Sequence, residues 1–528
     1  MIKNNLEPIG IVFGKTTPSL IQAVLLKDAG NVGIGQLVRI PFQENNTSKD
    51  LLGRIVSVWT KNRLLDSENF VPHISKKDIL TRNTIENLGI AKDIGGWTAC
   101  SILIIGYQYN GVFVRPRTPL KPSTIIYRAD DEFVSTLFKK ERTINIGTLR
   151  DNSTVSALVD YEKLVTHHFS VLAMTGAGKS YTVGVILEEL FLVDDLKLPI
   201  LLIDPHSEYS STAVPNENSE EAERIAKSVI VYVPGDIDHY IERKFEQKYG
   251  KRRATFSIKF HPAELETSQI KTLLKQYYGI SEAQSVALDK GWDEIHSMAL
   301  SGDYPKSESE LLGIITGNID HKGTKRALYN KLKALLHRPF FVFEDKGTDL
   351  TELIERGQIS ILDFGGIESF DQQAILGLIL RKLFEMRKKQ NKKIKPFLTI
   401  IEEAHNFIPP RNIPSASRSA IARIAAEGRK FGIGLGIISQ RPSKLDPDVL
   451  SQCNTHIILR LMNPKDQSFV QSISEYMTAE DFEAIKGLAT GEAMVLGYAV
   501  PFTILVKVKK RRMMHGGITP SLREELEN

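Results

Sequence analysis

The pattern of apolar and polar positions divides the chain into regions that predict different elements. Residues 8–149 contain short, partly alternating apolar stretches punctuated by Gly, Pro and Asn, a pattern typical of strands joined by turns. We therefore expect a small N-terminal β-barrel. The predicted strands are Ile9–Phe13, Leu37–Ile40, Leu52–Val58, Ser101–Tyr107 and Gly111–Val114.

After residue 150, buried apolar strands alternate with helical stretches, which predicts a mainly parallel sheet with helical crossovers. Residues 262–339 are helical in period throughout, so they are expected to form a helical-bundle insertion. The predicted fold class is therefore α/β. Its parts are a barrel at 1–149, a core at 150–261 and 340–500, the bundle at 262–339 and a C-terminal tail at 501–528. The core strands are predicted at Phe169–Leu172, Leu198–Asp204, Ile359–Phe364, Pro396–Ile401, Gly434–Ser439 and Thr455–Leu461.

A glycine-rich turn, Ala-Met-Thr-Gly-Ala-Gly-Lys-Ser, occupies Ala173–Ser180 between a predicted strand and a helical stretch. That context indicates a phosphate-binding loop, whose backbone N–H groups and helix N-terminus hold phosphates. Ala173 replaces the first glycine of the usual pattern, and a turn that binds nothing is the simpler alternative. The predicted nucleotide contacts are Thr175, Gly176, Ala177, Gly178, Lys179, Ser180 and Tyr181.

The predicted catalytic chemistry is metal-assisted hydrolysis of ATP. Lys179 would reach the β- and γ-phosphates, and Ser180 would bind Mg²⁺. The strand at 396–401 delivers two acids at its carboxyl end; Glu402 would hold the Mg²⁺ shell, and Glu403 would polarise the attacking water. Two acids at a solvated strand end would be the alternative if the phosphate loop were absent. ATP and Mg²⁺ are thus the predicted cofactors.

Further polar residues lie at the ends of predicted core elements. Asp204 ends a buried strand, where a role near Mg²⁺ and a turn cap explain it equally well. Gln440 ends another strand and is suited to sense the γ-phosphate, unless it only closes a turn. Arg429 ends a helix and is predicted to stabilise the γ-phosphate of a neighbouring subunit, with Arg423 and Arg441 as rivals. A favourable interaction with the helix dipole is the structural alternative for Arg429.

Composition narrows the class of protein. The chain has 528 residues, 42% of them hydrophobic and 25% charged, which is typical of a soluble globular protein. A net charge of +5 is too small to indicate nucleic acid by itself, and the basic runs at 251–253, 387–393 and 507–512 are usually solvated faces. Two cysteines, no signal-like N-terminus and no bilayer-length apolar run favour a cytoplasmic protein with no membrane partner.

Together these motifs resemble the HerA family of archaeal DNA translocases, within the HerA/FtsK group of RecA-like P-loop ATPases. The resemblance covers nearly the whole chain, because the barrel, RecA-like core, helical insertion and C-terminal brace also occur in that order. It implies a hexameric ring that pumps double-stranded DNA and works with a NurA-like nuclease in end resection and recombinational repair of double-strand breaks. The motifs are Thr175-Gly176-Ala177-Gly178-Lys179-Ser180, Asp204-Pro205-His206-Ser207-Glu208-Tyr209, Ile401-Glu402-Glu403-Ala404-His405, and Gly428-Arg429-Lys430-Phe431-Gly432 with Ser439-Gln440-Arg441-Pro442.

The resemblance also implies roles for individual residues. Glu403 would be the general base, and Arg429 aligns with the catalytic arginine of the family. A basic residue that precedes the P-loop strand approaches the nucleotide in the family, and His167 holds that place here. In the C-terminal strand, Val506 and Lys507 would contact ATP bound to the next subunit.

The leading functional hypothesis is an ATP-driven translocase or helicase acting on double-stranded DNA. The first alternative is a ring ATPase that moves another polymer, such as a protein unfoldase or a secretion motor. A nucleotide-gated scaffold with little turnover is the second alternative. The Glu402–Glu403 pair argues against the scaffold, because a switch protein does not need a strong base. Stimulation of ATPase activity by DNA distinguishes the first two hypotheses.

Overall fold

The computed structural model describes residues 6–516 except 28, 45–46, 63–95, 110–111, 139–140, 236–253, 318, 345, 390–393 and 475–476. The chain forms two compact units. The first comprises Met1–Glu141, Gly147–Leu158 and Tyr476–Lys507, and the second comprises Arg142–Ile146, Val159–Glu475 and Val508–Asn528. Residues 476–507 thus group with the barrel, whereas the sequence-based division placed 476–500 in the core.

The elements of the described residues are numbered here in chain order. The strands are β1 (Pro8–Phe13), β2 (Leu20–Leu25), β3 (Leu37–Glu44), β4 (Thr47–Asn62), β5 (Gly96–Tyr109), β6 (Val112–Val114), β7 (Ile125–Arg128), β8 (Thr143–Leu149), β9 (Ser156–Asp160), β10 (Phe169–Leu172), β11 (Ile200–Asp204), β12 (Val229–Pro234), β13 (Ala254–Ile258), β14 (Ile359–Asp363), β15 (Phe397–Ile401), β16 (Ile433–Ser439), β17 (Thr455–Ile458), β18 (Glu492–Gly497) and β19 (Ile504–Val508).

The α-helices of the same residues are numbered in the same way. They are α1 (Asp131–Thr136), α2 (Tyr161–Thr166), α3 (Lys179–Phe191), α4 (Glu220–Ser228), α5 (Thr267–Tyr277), α6 (Glu282–Ser301), α7 (Glu308–Gly317), α8 (Lys322–Leu336), α9 (Ser369–Lys388), α10 (Arg418–Glu427), α11 (Pro447–Leu450), α12 (Pro464–Ile473) and α13 (Ala479–Lys486).

The first unit contains the predicted barrel. Its antiparallel strands run in the order β2-β1-β7-β3-β4-β5, pairing of β2 with β5 closes the sheet, and β6 is added to β5. Alternating side chains such as Ile9, Ile21, Ile102 and Ile126 fill the interior without exposure. Closure leaves the six barrel strands without an open edge. The prediction of a small β-barrel is confirmed, although β2 and β7 were not among the predicted strands.

The second unit is built on a parallel sheet in the order β13-β12-β14-β11-β15-β16-β10-β17. Strands β11, β14, β15 and β16 are buried along their whole length, as expected of strands covered by helices on both faces. The α/β fold class with a mainly parallel sheet is therefore confirmed. All carboxyl ends of these strands meet at one edge, where α/β proteins bind ligands.

Helices α5 to α8 form the predicted helical insertion within the second unit. Trp292 of α6 is fully buried, and its indole N–H donates to the carbonyl of Leu265 over 2.7 Å. Gly291 lets α6 approach α7 closely, because a Cβ there would lie 2.6 Å from Cα of Ile315. One aromatic anchor and one position without a side chain thus contribute to the close packing of α6 within the bundle.

Two further features bear on the chemistry of the whole chain. Both cysteines are buried free thiols, Cys100 in β5 and Cys453 after α11. No helix of the described ranges is both long enough and apolar enough to cross a lipid bilayer.

Candidate active site

The turn that follows β10 has the backbone of a phosphate-binding loop. Gly176 and Gly178 have φ values of 78° and 95°, a left-handed conformation that favours glycine. Helix α3 begins at Lys179 directly after Gly178. Within the described part of the chain, the N–H groups of Gly176, Gly178, Lys179 and Ser180 have no protein acceptor. Unpaired N–H groups at a helix N-terminus fit the phosphates of ATP.

The predicted catalytic lysine lies between the two predicted acids. The Lys179 ammonium is mostly buried; it forms an ion pair and hydrogen bond with Glu402, and it lies 3.1 Å from Oε1 of Glu403. Burial opposes the charge of the amine, but the two carboxylates outweigh burial and raise the pKa of Lys179. The hydroxyl of Tyr209 donates to Oε2 of Glu402 over 3.0 Å. The structure therefore brings Lys179, Glu402 and Glu403 together.

Glu403 begins the turn after β15 in a strained conformation. Its φ of 46° is in the left-handed region, which costs a non-glycine residue about 1–3 kcal/mol. Its Oε2 lies 3.2 Å from Nδ1 of His405 without hydrogen-bond geometry. Burial lowers the pKa of His405, although Glu403 acts in the opposite direction. The neighbour of this buried carboxylate is therefore a neutral imidazole near neutral pH.

Oxygen atoms that suit Mg²⁺ surround Ser180. The hydroxyl of Ser180 donates to Oε2 of Glu208 over 2.8 Å and lies 3.5 Å from Oε1 of Glu402. A hydroxyl and two carboxylates are the hard donors that Mg²⁺ prefers, so these residues fit the ion. Glu208 was not among the predicted site residues. Its signal was its place in the Asp-Pro-His-Ser-Glu-Tyr motif, four residues after a strand end.

Asp204 caps the turn that follows β11, which is one of the two roles considered for it from the sequence. The carboxylate is fully buried and accepts the main-chain N–H groups of His206 at 3.2 Å and Tyr209 at 2.8 Å. Burial, and then the charge of Asp363, raise the pKa of Asp204 to about 8. Asp204 thus caps the turn that carries Glu208, and none of its hydrogen bonds is to Ser180.

The remaining carboxyl-edge residues flank the phosphate-binding loop. The hydroxyl of Thr175 donates to the amide oxygen of Gln440, which follows β16. The N–H of Met174 donates to the carbonyl of Arg460 over 2.9 Å, and Ala177 is buried beneath the turn. Gln440 is therefore in contact with the loop, as a sensor of phosphate requires. Arg460, which the sequence analysis missed, lies on the other side.

His167 and Arg429 lie at the opposite edge of the sheet. His167 ends α2 just before β10, and Arg429 lies in the turn before β16, so neither is at the carboxyl edge. Burial, and then the Arg429 guanidinium, lower the pKa of His167. Arg429 is exposed, lines a cavity of about 360 Å³ beside Tyr161 and Pro396, and forms no ion pair with any described residue.

The rivals of Arg429 are placed differently. Arg423 donates to Glu385 over 2.6 Å and stacks 4.4 Å from the ring centre of Phe384. Arg441 is exposed at the carboxyl edge, and its main-chain N–H donates to Ser439. Arg423 is thus engaged with residues of α9, whereas Arg441 lies on the same edge as the phosphate-binding loop.

The remaining predicted nucleotide contacts are Tyr181 and the pair in the C-terminal strand. The hydroxyl of Tyr181, in the first turn of α3, accepts the main-chain N–H of Arg511 over 2.8 Å. Val506 and Lys507 belong to the first unit, in β19, where they pair with Ala493 and Glu492 of β18. Val506 is fully buried and Lys507 is exposed.

The parallel sheet, the phosphate-binding loop and the acids at its carboxyl edge define a P-loop ATPase. Residues 144–383 match the family model described as the central domain of the helicase HerA. A probable helicase of Methanocaldococcus jannaschii is 30% identical over 430 residues, with 76% of each chain covered. The DNA double-strand break repair helicase HerA of Pyrococcus furiosus is 27% identical over 555 residues, covering 97% of this chain and 93% of that protein.

A solved structure supports the fold. VirB4 of Thermoanaerobacter pseudethanolicus is 16% identical, has a TM-score of 0.50, and covers 70% of this chain and 97% of its own. The chain belongs to the HerA family. It is therefore an ATP-binding, ATP-hydrolysing enzyme of the helicase class.

Proposed function

We propose that this enzyme is an ATP-driven translocase or helicase that moves double-stranded DNA during the repair of double-strand breaks. The observation that carries the proposal is the convergence of Lys179, Glu402 and Glu403 beside the phosphate-binding turn. Relatives named as DNA double-strand break repair helicases align over nearly the whole chain, which supports DNA as the polymer.

Within one subunit the proposed chemistry uses the carboxyl edge of the sheet. The N–H groups of the turn and Lys179 hold the phosphates, and Glu403 accepts a proton from the attacking water. Gln440 links the γ-phosphate position to β16 through its contact with the loop. Ser180, with Glu402 and Glu208 around it, would hold Mg²⁺, which neutralises phosphate charge when bound. Asp204 shapes the turn that presents Glu208.

We further infer that Arg429 and His167 act on ATP bound to the next subunit of a hexameric ring. Both lie at the amino edge of the sheet, and the strand that separates His167 from its own phosphate loop has four residues. At about 3.3 Å per residue this strand alone spans roughly 13 Å. A cation delivered from a neighbour couples hydrolysis at one site to the position of the adjacent subunit.

The partner and the cellular location are proposed from the same similarity to the HerA family. We propose a NurA-like nuclease as partner and the cytoplasm as location. Lys507, exposed on β19, is the more suitable member of the predicted pair for contact with nucleotide next door, because Val506 has no exposed surface. Of the basic runs, residues 251–253 and Lys392 and Lys393 lie outside the described residues.

The test is the ATPase rate with and without blunt duplex DNA, with molecular mass measured in the same buffer. Duplex DNA should raise turnover several-fold in a hexameric species, because a translocase couples hydrolysis to movement along its track. Lys179→Ala is the matched control for contaminating ATPases. No stimulation by DNA, with stimulation by an unfolded polypeptide instead, would favour a motor acting on protein.

A further inference from the structure

Residues 509–516, here called the C-terminal strap, run along the segment that carries Glu208. The N–H of Asn216 donates to the carbonyl of Arg512 over 2.7 Å, and the N–H of Met514 donates to the carbonyl of Val214 over 2.9 Å. The hydroxyl of Ser211 donates to the carbonyl of Met514 over 3.1 Å. The strap therefore forms a short stretch of strand-like pairing with residues 211–216.

The strap is fastened to the phosphate-loop helix α3 by a buried ion pair. Nε of Arg511 donates to Oε1 of Glu188 over 2.8 Å, and the two residues are 4% and 1% exposed. Glu188 also accepts the main-chain N–H of Arg512 over 2.8 Å. Gly184, one turn earlier in α3, makes room for the guanidinium, since a Cβ there would lie 2.3 Å from Cζ of Arg511.

Arg511 also contacts residues near Ser180 and near Glu208, the two side chains at the candidate metal site. The main-chain N–H of Arg511 donates to the hydroxyl of Tyr181, the neighbour of Ser180. The guanidinium also donates to Thr212 over 3.3 Å, four residues after Glu208. Arg511 thus connects α3, which carries Ser180, with the segment that carries Glu208.

We propose that Arg511 is a positioning residue that holds Ser180 and Glu208 at the distance required for metal-assisted ATP hydrolysis. A buried ion pair contributes little net stability, because desolvation offsets its attraction. Arg511 has a geometric role instead, because it lies between α3, which carries Ser180, and the segment that carries Glu208. The inference rests on the proposed binding of Mg²⁺ near Ser180 and is independent of which polymer the motor moves.

The first test compares Arg511→Ala with Arg512→Ala by titrating Mg²⁺ against a fluorescent ATP analogue. Both changes remove one positive charge from the strap, but the Arg512 side chain is 23% exposed and pairs with Glu189. Arg511→Ala should raise the apparent Mg²⁺ dissociation constant by about tenfold, as loss of residues that support metal ligands does, with metal-free ADP affinity nearly unchanged. Arg512→Ala should behave like the parent protein.

The second test is Gly184→Ala, which removes no charge and replaces glycine with a better helix former. The added Cβ should displace the Arg511 guanidinium and reproduce the raised Mg²⁺ requirement. Hydrogen exchange of the free protein should show faster exchange at residues 208–216 in Gly184→Ala and Arg511→Ala, but not in Arg512→Ala. This second readout needs no bound nucleotide.

The outcomes separate this inference from the proposed function. If Arg511→Ala does not fold, the positioning role is tested with Gly184→Ala and Arg511→Lys. Both variants keep the positive charge of the strap; the first fills the space beside the guanidinium, and the second removes the guanidinium itself. Parental Mg²⁺ dependence and parental exchange in the folded variants would overturn the positioning role. Absence of Mg²⁺-dependent nucleotide binding in the parent protein would contradict the proposed function instead, and exchange at 208–216 would still report on the strap.

Discussion

Mixing two inactive variants gives the sharpest test of Arg429 as a residue that acts across a subunit interface. Arg429 precedes β16, whose seven residues end at Ser439, directly before Gln440, which contacts the phosphate loop. At about 3.3 Å per residue, the strand places the guanidinium roughly 23 Å from its own carboxyl edge. An arginine side chain does not extend that far, so any contact with γ-phosphate must be made with the nucleotide of another subunit.

The magnitude follows from counting competent interfaces. Arg429→Ala should bind ATP and assemble, but it should turn over at about one-thousandth of the parental rate or less. Lys179→Ala should also be inactive. In a random equal mixture, an interface is competent when an Arg429→Ala subunit supplies the phosphate loop and a Lys179→Ala subunit supplies the arginine. About one quarter of interfaces meet that condition, so activity should return to about one quarter of the parental rate.

The assay is steady-state ATPase activity after subunit exchange, with mixed rings verified by native mass measurement. The matched control mixes parent protein with the chain that carries both substitutions, which also leaves about one quarter of interfaces competent. Activity in that control establishes that isolated interfaces can turn over. If the control is active and the mixture of single variants stays silent, Arg429 acts within its own subunit or only structurally.

Three further predictions concern the active site, the DNA and the buried histidines. Glu403→Gln should retain bound ATP and lose about 10²–10⁴-fold in turnover, because an amide cannot accept the proton. If Glu402→Gln retains ATP without turnover while Glu403→Gln stays active, the roles of general base and Mg²⁺ holder are reversed. Affinity for duplex DNA should fall linearly with the logarithm of salt concentration and be nearly equal for unrelated sequences, because phosphates are read through counterion release; filter-binding constants that differ strongly between sequences at fixed salt would argue against a translocase. Burial lowers the pKa of His168 and of His456 to about 4 each. As the pH falls below about 6.5, these imidazoles bind protons in the unfolded chain but not in the folded chain, so the free energy of unfolding decreases toward pH 4. The decrease is at most about 1.4 kcal/mol per pH unit for each imidazole. His456→Gln should make that decline shallower in denaturant unfolding series between pH 4 and 6.5, and an unchanged slope would contradict the assignment.

The sequence predicts the core strands well because they are buried on both faces. Phe169–Leu172 was predicted with the bounds observed for β10, and the runs at 359–364 and 396–401 differ from the observed strands by one residue. A fully buried strand reads as a continuous apolar run between turn residues, so little else competes for its assignment. Strands β12 and β13 were not predicted.

The identity of the residues around Ser180 could not be read from spacing alone. Asp204 and Glu208 belong to one motif, and the sequence analysis considered only Asp204, the acid at the strand end, for a role near Mg²⁺. Ser207, whose φ is 60°, turns the backbone so that Glu208 faces Ser180 while Asp204 is held by main-chain N–H groups. The left-handed conformation of Ser207 thus determines which of the two carboxylates contacts Ser180. Such a conformation at serine has no signature in one sequence.

The link between Arg511 and Glu188 was also beyond sequence reasoning. The two residues are 323 positions apart, and the charges of the C-terminal segment read as a solvated polar tail. A buried ion pair requires a space that only the folded helix provides. Here that space exists because Gly184 has no side chain.

The burial of both cysteines has a practical consequence for chemical labelling. Burial raises the pKa of the Cys100 thiol to about 12, and burial likewise raises the pKa of Cys453. Neither sulfur is a thiolate at neutral pH or exposed to reagents, and the chain has two cysteines in all. A cysteine introduced on the surface therefore becomes the single site for a maleimide dye or a bifunctional linker. Distances between subunits of the proposed ring can then be followed during turnover without first removing the native thiols.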